Sequence, residues 1–119
     1  CRPGAIFASN TSSLTIAAMA AATARPDRMI GLHFFHPVLA MRLVEVVRTV
    51  TTSEATLAQA AAFVRALGKT PILAKDAAGF VVNLLLVPYL LDAIRQIERG
   101  VASVRDVDTG MRLGAGHPM

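Results

Sequence analysis

GLHFFHPVLAMRLVEVV, from Gly31 to Val47, decides how the rest of the chain is read. Met29–Phe35 and Met41–Arg48 are β-type runs, and His36–Ala40 between them joins two strands, most simply an antiparallel pair. With the connection centred near Leu39, His33 and Glu45 stand six residues to either side of it. They should face each other across the pair, on one side of the sheet, with Cβ atoms about 4.5–5.5 Å apart. Glu45 is flanked by Leu43, Val44, Val46 and Val47, and His33 lies between Leu32 and Phe34. A charge buried in such company is costly unless something pairs with it. A carboxylate on one imidazole nitrogen fixes the tautomer and leaves the other nitrogen free to take a proton, which is the arrangement of a general base. The same pattern also fits a structural His–Glu pair, or two exposed residues on an open sheet face. No second histidine or carboxylate stands at a ligand spacing from His33, and His36 needs a bulge to share its face, so no metal site is expected.

Toward the N-terminus, Ala5–Ser9 is a short apolar run after Pro3-Gly4, and it reads as a strand feeding the polar turn Asn10–Ser13. Ser12 or Ser13 is expected to cap a helix over Leu14–Ala22 that ends before Pro26. Hydroxyls and backbone N–H groups at such a strand-to-helix turn can meet a ligand's oxygens, or serve as caps alone.

Toward the C-terminus, Leu57, Ala60, Ala61, Val64 and Leu67 recur at helical spacing, with Ser53 as N-cap and Gly68 at the end. Pro71–Ala74 reads as a further strand and Lys75–Gly79 as a hinge. A long helix over Phe80–Arg99 follows, with Pro88 expected to bend it, and a last helix runs from Ser103 to about Leu113. Asn83 lies in the most apolar part of the chain, as a core asparagine or as a donor aimed into a cleft. This order of elements suggests a mixed α/β chain: the tail of an α/β domain followed by the start of an all-α one.

The 119 residues are 54% hydrophobic and 17% charged, which excludes a disordered chain. A single cysteine, Cys1, excludes an intrachain disulfide framework and a cysteine-based zinc site, so an oxidising compartment is not implied; a cytoplasmic setting is the expectation. The net charge of +4 comes from scattered arginines without an aromatic ladder, so nucleic acid is not an expected partner. Ala77–Leu91 is uncharged, but about fifteen residues reach only about 22 Å against a hydrocarbon core of roughly 30 Å. A buried core helix is the better reading, and no membrane partner is expected.

SNTSSL at Ser9–Leu14, GLHFFHPVLAMRLVEVV at Gly31–Val47, KDAAGFVVNLLLVPYLLDA at Lys75–Ala93 and the tail over 106–119 together resemble the L-3-hydroxyacyl-CoA dehydrogenase family, which includes the 3-hydroxybutyryl-CoA dehydrogenases. The resemblance covers nearly the whole chain, in order. It implies that residues 1–76 are the C-terminal portion of a Rossmann-type NAD-binding domain. Residues 77–119 would then be the N-terminal portion of an all-α substrate and dimerisation domain. The implied reaction is NAD-dependent oxidation of an (S)-3-hydroxyacyl-CoA to the 3-ketoacyl-CoA, a step of fatty-acid β-oxidation, by a homodimeric full-length protein. By the same resemblance His33 matches the catalytic histidine and Glu45 its carboxylate partner. Ser12 and Asn83 match the residues that hold the reacting oxygen in the substrate site, and Asn10 falls in a segment near the cofactor's nicotinamide and ribose.

The chain departs from the family pattern at three points. His36 stands beside the expected nicotinamide site where the family usually has Asn or Ser, and Leu84 stands where an Arg commonly follows the motif asparagine. The Gly-rich phosphate-binding loop does not occur in these residues, so the isolated chain is expected to lack the pyrophosphate site and to be inactive. The competing expectation is a non-catalytic truncated or assembly module whose apolar surfaces bind a partner.

Overall fold

The computed structural model describes residues 1–12 and 14–118. Four strands, β1 (Phe7–Ser9), β2 (Met29–Phe34), β3 (Leu43–Arg48) and β4 (Thr70–Lys75), form one sheet in the order β1-β2-β3-β4. Helix α1 (Ile16–Ala21) follows β1, α2 (Glu54–Ala66) connects β3 to β4, and α3 (Val82–Glu98) and α4 (Val104–Gly114) complete the chain. β1 pairs parallel with β2, β2 antiparallel with β3, and β3 parallel with β4. Each parallel pair is joined by a helical crossover, and the antiparallel pair by the loop 35–42, as these two kinds of ladder require.

Alternation along β2 and β3 sorts their side chains onto two faces. Ile30, Leu32, Val44 and Val46 pack with Leu57, Ala60 and Val64 of α2. Met29 and Val47 turn the other way, toward Ile16 and Ala20 of α1, Ala74 and Phe80. With both faces covered, β2 and β3 become near-continuous apolar runs, and a side chain such as Leu57 or Val64 contributes about 1.5–3 kcal/mol by its burial. Gly31 allows the close approach of α1: a Cβ there would lie 2.8 Å from that of Val47 and 3.1 Å from Ile16.

Ser53 caps α2, its hydroxyl accepting from the Thr56 N–H at 3.2 Å, and Gly68 follows the helix in the left-handed region at φ 72°. α1 differs from the expectation. Its N-cap is Thr15, which makes no side-chain cap bond, and the N–H groups of Ile16 and Ala17 are taken by the carboxylate of Asp76 at 2.9 and 2.6 Å. Ser12 is therefore not the cap, being engaged elsewhere, and Ser13 lies outside the described residues.

The chain divides into two compact units, Cys1–Asn83 and Leu84–Met119. In the second, Ser103 caps α4, its hydroxyl accepting from the Asp106 N–H and donating to the Asp106 carboxylate at 2.7 Å. A glutamate in a capping box reaches the cap residue's N–H; the shorter aspartate takes the hydroxyl instead. α3 continues through Pro88 as one helix. Within these 119 residues it has no buried residue, with Leu85 at 70% and Ile94 at 52% exposure, so the expected buried core helix is not covered by this chain alone. One 11-residue companion in its unit offers too little surface to bury 17 apolar-rich residues. Among the described residues no helix is long and apolar enough to cross a membrane.

Candidate active site

His33 and Glu45 are direct partners in the β2–β3 ladder. Nδ1 of His33 lies 2.6 Å from Oε2 of Glu45, with His33 4% exposed and Glu45 0%. The buried carboxylate is fully engaged: its other oxygen, Oε1, accepts the N–H groups of Val81 at 3.0 Å and Val82 at 2.9 Å, where α3 begins. Two backbone donors from a helix start favour a carboxylate at that point. Three N–H groups on one carboxylate meet the requirement that a buried charge be paired and hydrogen-bonded.

These contacts fix the imidazole. A carboxylate can only accept, so Nδ1 donates to Glu45, and in the neutral imidazole this leaves Nε2 as the acceptor. Nε2 lies 3.0 Å from Oγ of Ser12, an exposed residue in the turn after β1, and in the neutral imidazole it accepts the Ser12 hydroxyl. The rings of Phe35 and Phe80 stand edge-on to the imidazole at centroid distances of 4.7 and 5.4 Å, the arrangement aromatic pairs prefer. Phe80 reaches this place from a left-handed backbone, φ 49°, directly after Gly79 at φ 81°. That double turn carries the chain from β4 into α3 and aims the Val81 and Val82 N–H groups at Glu45.

Asn10 follows β1, and its Oδ1 accepts the N–H of Phe34 at 2.9 Å, tying together the carboxyl ends of the parallel strands β1 and β2. Ligands of open α/β sheets bind outside the carboxyl ends of such strands. His36, exposed, lies just past the end of β2 and precedes a cis bond to Pro37. Asn83, half-buried, is the second residue of α3 and takes no part in the hydrogen bonds of this group among the described residues. Thus Ser12, His33 and Glu45 form one connected chain, while among the described residues Asn10, His36 and Asn83 are not bonded to it. Phe35, Phe80 and the Val81–Val82 backbone are further members that the sequence reading did not single out. Gly79 ahead of a long helix was the signal available for the last three.

Two family models cover the chain: the 3-hydroxyacyl-CoA dehydrogenase NAD binding domain matches residues 1–77 and the C-terminal domain of the same enzymes matches residues 79–119. The chain belongs to the 3-hydroxyacyl-CoA dehydrogenase family. Within that family it is 60% identical over 114 residues to the mitochondrial hydroxyacyl-coenzyme A dehydrogenase of Homo sapiens, covering 96% of this chain and 36% of the relative. It is 53% identical over 118 residues to a 3-hydroxybutyryl-CoA dehydrogenase of Mycobacterium tuberculosis, covering 98% and 41%. The crystal structure of the (S)-3-hydroxybutyryl-CoA dehydrogenase of Ralstonia eutropha superposes with a TM-score of 0.95 at 47% identity, over 98% of this chain and 41% of that one. The chain thus spans roughly two-fifths of the length of these relatives.

Proposed function

We propose that this chain carries the proton-transfer centre of an NAD-dependent dehydrogenase acting on (S)-3-hydroxyacyl-CoA substrates such as 3-hydroxybutyryl-CoA. The observation that supports this is the buried carboxylate that binds Nδ1 of His33 at 2.6 Å while Nε2 faces an exposed hydroxyl at 3.0 Å. A substrate 3-hydroxyl in the place of the Ser12 hydroxyl meets the same lone pair. His33 then takes its proton as general base, and Glu45 stabilises the imidazolium that forms. Ser12, displaced from Nε2 by a small rotation, and Asn83 hold the reacting oxygen by hydrogen bonds.

The family match to an NAD binding domain names the cofactor, and residues at the carboxyl ends of β1 and β2 suit its reactive end. With its oxygen committed to Phe34, Asn10 has its amide NH₂ left to donate, and His36 is exposed beside it. NAD, when bound, supplies the hydride acceptor for C3; the chain's residues supply alignment and the base.

A division near residue 76 into an NAD-binding portion and an all-α portion, a homodimeric full-length protein and a cytoplasmic setting belong to the same proposal. The point where the two family models meet supports the first of these. Replacement of His33 by Ala in the full-length enzyme tests the assignment, with an expected loss of about 10²- to 10⁴-fold in kcat. Retained turnover with 3-hydroxybutyryl-CoA overturns it.

A further inference from the structure

Ser12, His33 and Glu45 stand in series, hydroxyl to Nε2 at 3.0 Å and Nδ1 to carboxylate at 2.6 Å. A nucleophile, a base and a group that orients the base, each within hydrogen-bond reach of the next, are the parts by which an ordinary hydroxyl becomes reactive toward acyl carbon. Three features fit this role better than a passive contact. The serine is exposed while the base is buried behind it. The imidazole packs edge-on against Phe35 and Phe80. The carboxylate is pinned by the Val81 and Val82 N–H groups.

We propose that Ser12 is a nucleophile toward activated acyl groups, namely thioesters and aryl esters, an acyl-transfer reactivity separate from dehydrogenation. Nε2 of His33 takes the Ser12 proton as Oγ bonds to the acyl carbon. The bond from that carbon to the thioester sulfur or aryl oxygen breaks, and the leaving group departs with the electron pair and receives the proton from Nε2. The products are acyl-Ser12 and a free thiol or phenol, and nothing is oxidised or reduced. Water entering by the reverse of this path, deprotonated by His33, releases the carboxylic acid and restores the hydroxyl.

The test exposes the 119-residue chain to p-nitrophenyl acetate and measures, peptide by peptide, where the acetyl group is found and how fast. Ser103 is an internal reference, because its exposed hydroxyl donates to a carboxylate rather than to an imidazole. Ser12 is expected to acetylate at least ~100-fold faster than Ser103, the lower end of what a positioned base contributes. His33→Gln is expected to bring Ser12 down to the rate of Ser103. Ser12→Ala, which removes one exposed hydroxyl, is expected to abolish the fast release of p-nitrophenol and serves where the histidine variant does not fold. Equal labelling of the two serines, Ser12 labelling indifferent to His33→Gln, or undiminished fast release from Ser12→Ala with the acetyl group on the imidazole itself, overturns the proposal.

Discussion

The carboxylate of Asp76, at the end of β4, closes the N-terminus of α1 by accepting the N–H groups of Ile16 at 2.9 Å and Ala17 at 2.6 Å, across a separation of 60 residues from Ile16. It does for α1 what a local cap residue does for other helices, and it fixes the end of the turn that carries Ser12. Asp76→Ala is expected to lower the unfolding free energy by about 1–2 kcal/mol, the upper part of the range for losing an N-cap. Asp76→Asn, which keeps one acceptor oxygen, should cost less. Urea denaturation of the two variants checks both the sign and the order.

Glu45→Gln separates geometry from proton bookkeeping. A carboxamide oxygen placed on Val81 and Val82 leaves the NH₂ facing Nδ1, which then has to accept, so that Nε2 carries the proton and cannot act as a base. The full-length variant is expected to stay folded and to lose about 10²- to 10⁴-fold in kcat, as for loss of a general base. Nitrogen chemical shifts of the imidazole, read alongside turnover, should show the exchanged tautomer. Wild-type shifts with wild-type kcat would contradict the assignment of roles.

Gly31→Ala probes the packing two residues before His33. The added methyl meets the Cβ of Val47 at 2.8 Å and Ile16 at 3.1 Å, both fully buried, so something has to move. Overpacking of this kind costs typically about 1–3 kcal/mol. The thermal unfolding midpoint of the variant is expected to fall, and an unchanged midpoint would mean that α1 moves freely on the sheet.

Phe80→Ala empties a site that is 4% exposed and removes the edge-on neighbour of the imidazole. The expected loss is about 3–5 kcal/mol in stability, as for other buried phenylalanines. Phe80→Leu, which keeps most of the volume, should recover much of it. Denaturant midpoints of the pair decide the matter.

What the sequence made legible follows the range of the interactions involved. The His33–Glu45 opposition came from counting outward from Leu39, because register in a two-strand unit is set by its own connection and by alternation. The α2 cap at Ser53 is equally local. The start of α1 is not legible locally because the group that satisfies it, Asp76, follows β4, and nothing near Ser12 announces a carboxylate so far along the chain. The exposure of α3 within these residues has a related reason: apolar spacing says which residues suit a core, not whether neighbours in the unit are sufficient to make one. At the site itself, the pair was readable from alternation. The Phe80 ring and the Val81 and Val82 donors depend on a left-handed turn that only the folded backbone displays.

The two oxygens of Glu45 are held by different partners, one by a ring and one by main chain. Because a carboxylate is planar and stiff, a shift of the 80–82 backbone that twists it also tilts the imidazole, and a pull on the ring is transmitted back to the Val81 and Val82 N–H groups. The planar group acts as a lever, and a strand residue at the centre of the sheet thereby makes the poise of the base answerable to a backbone turn thirty-odd residues later.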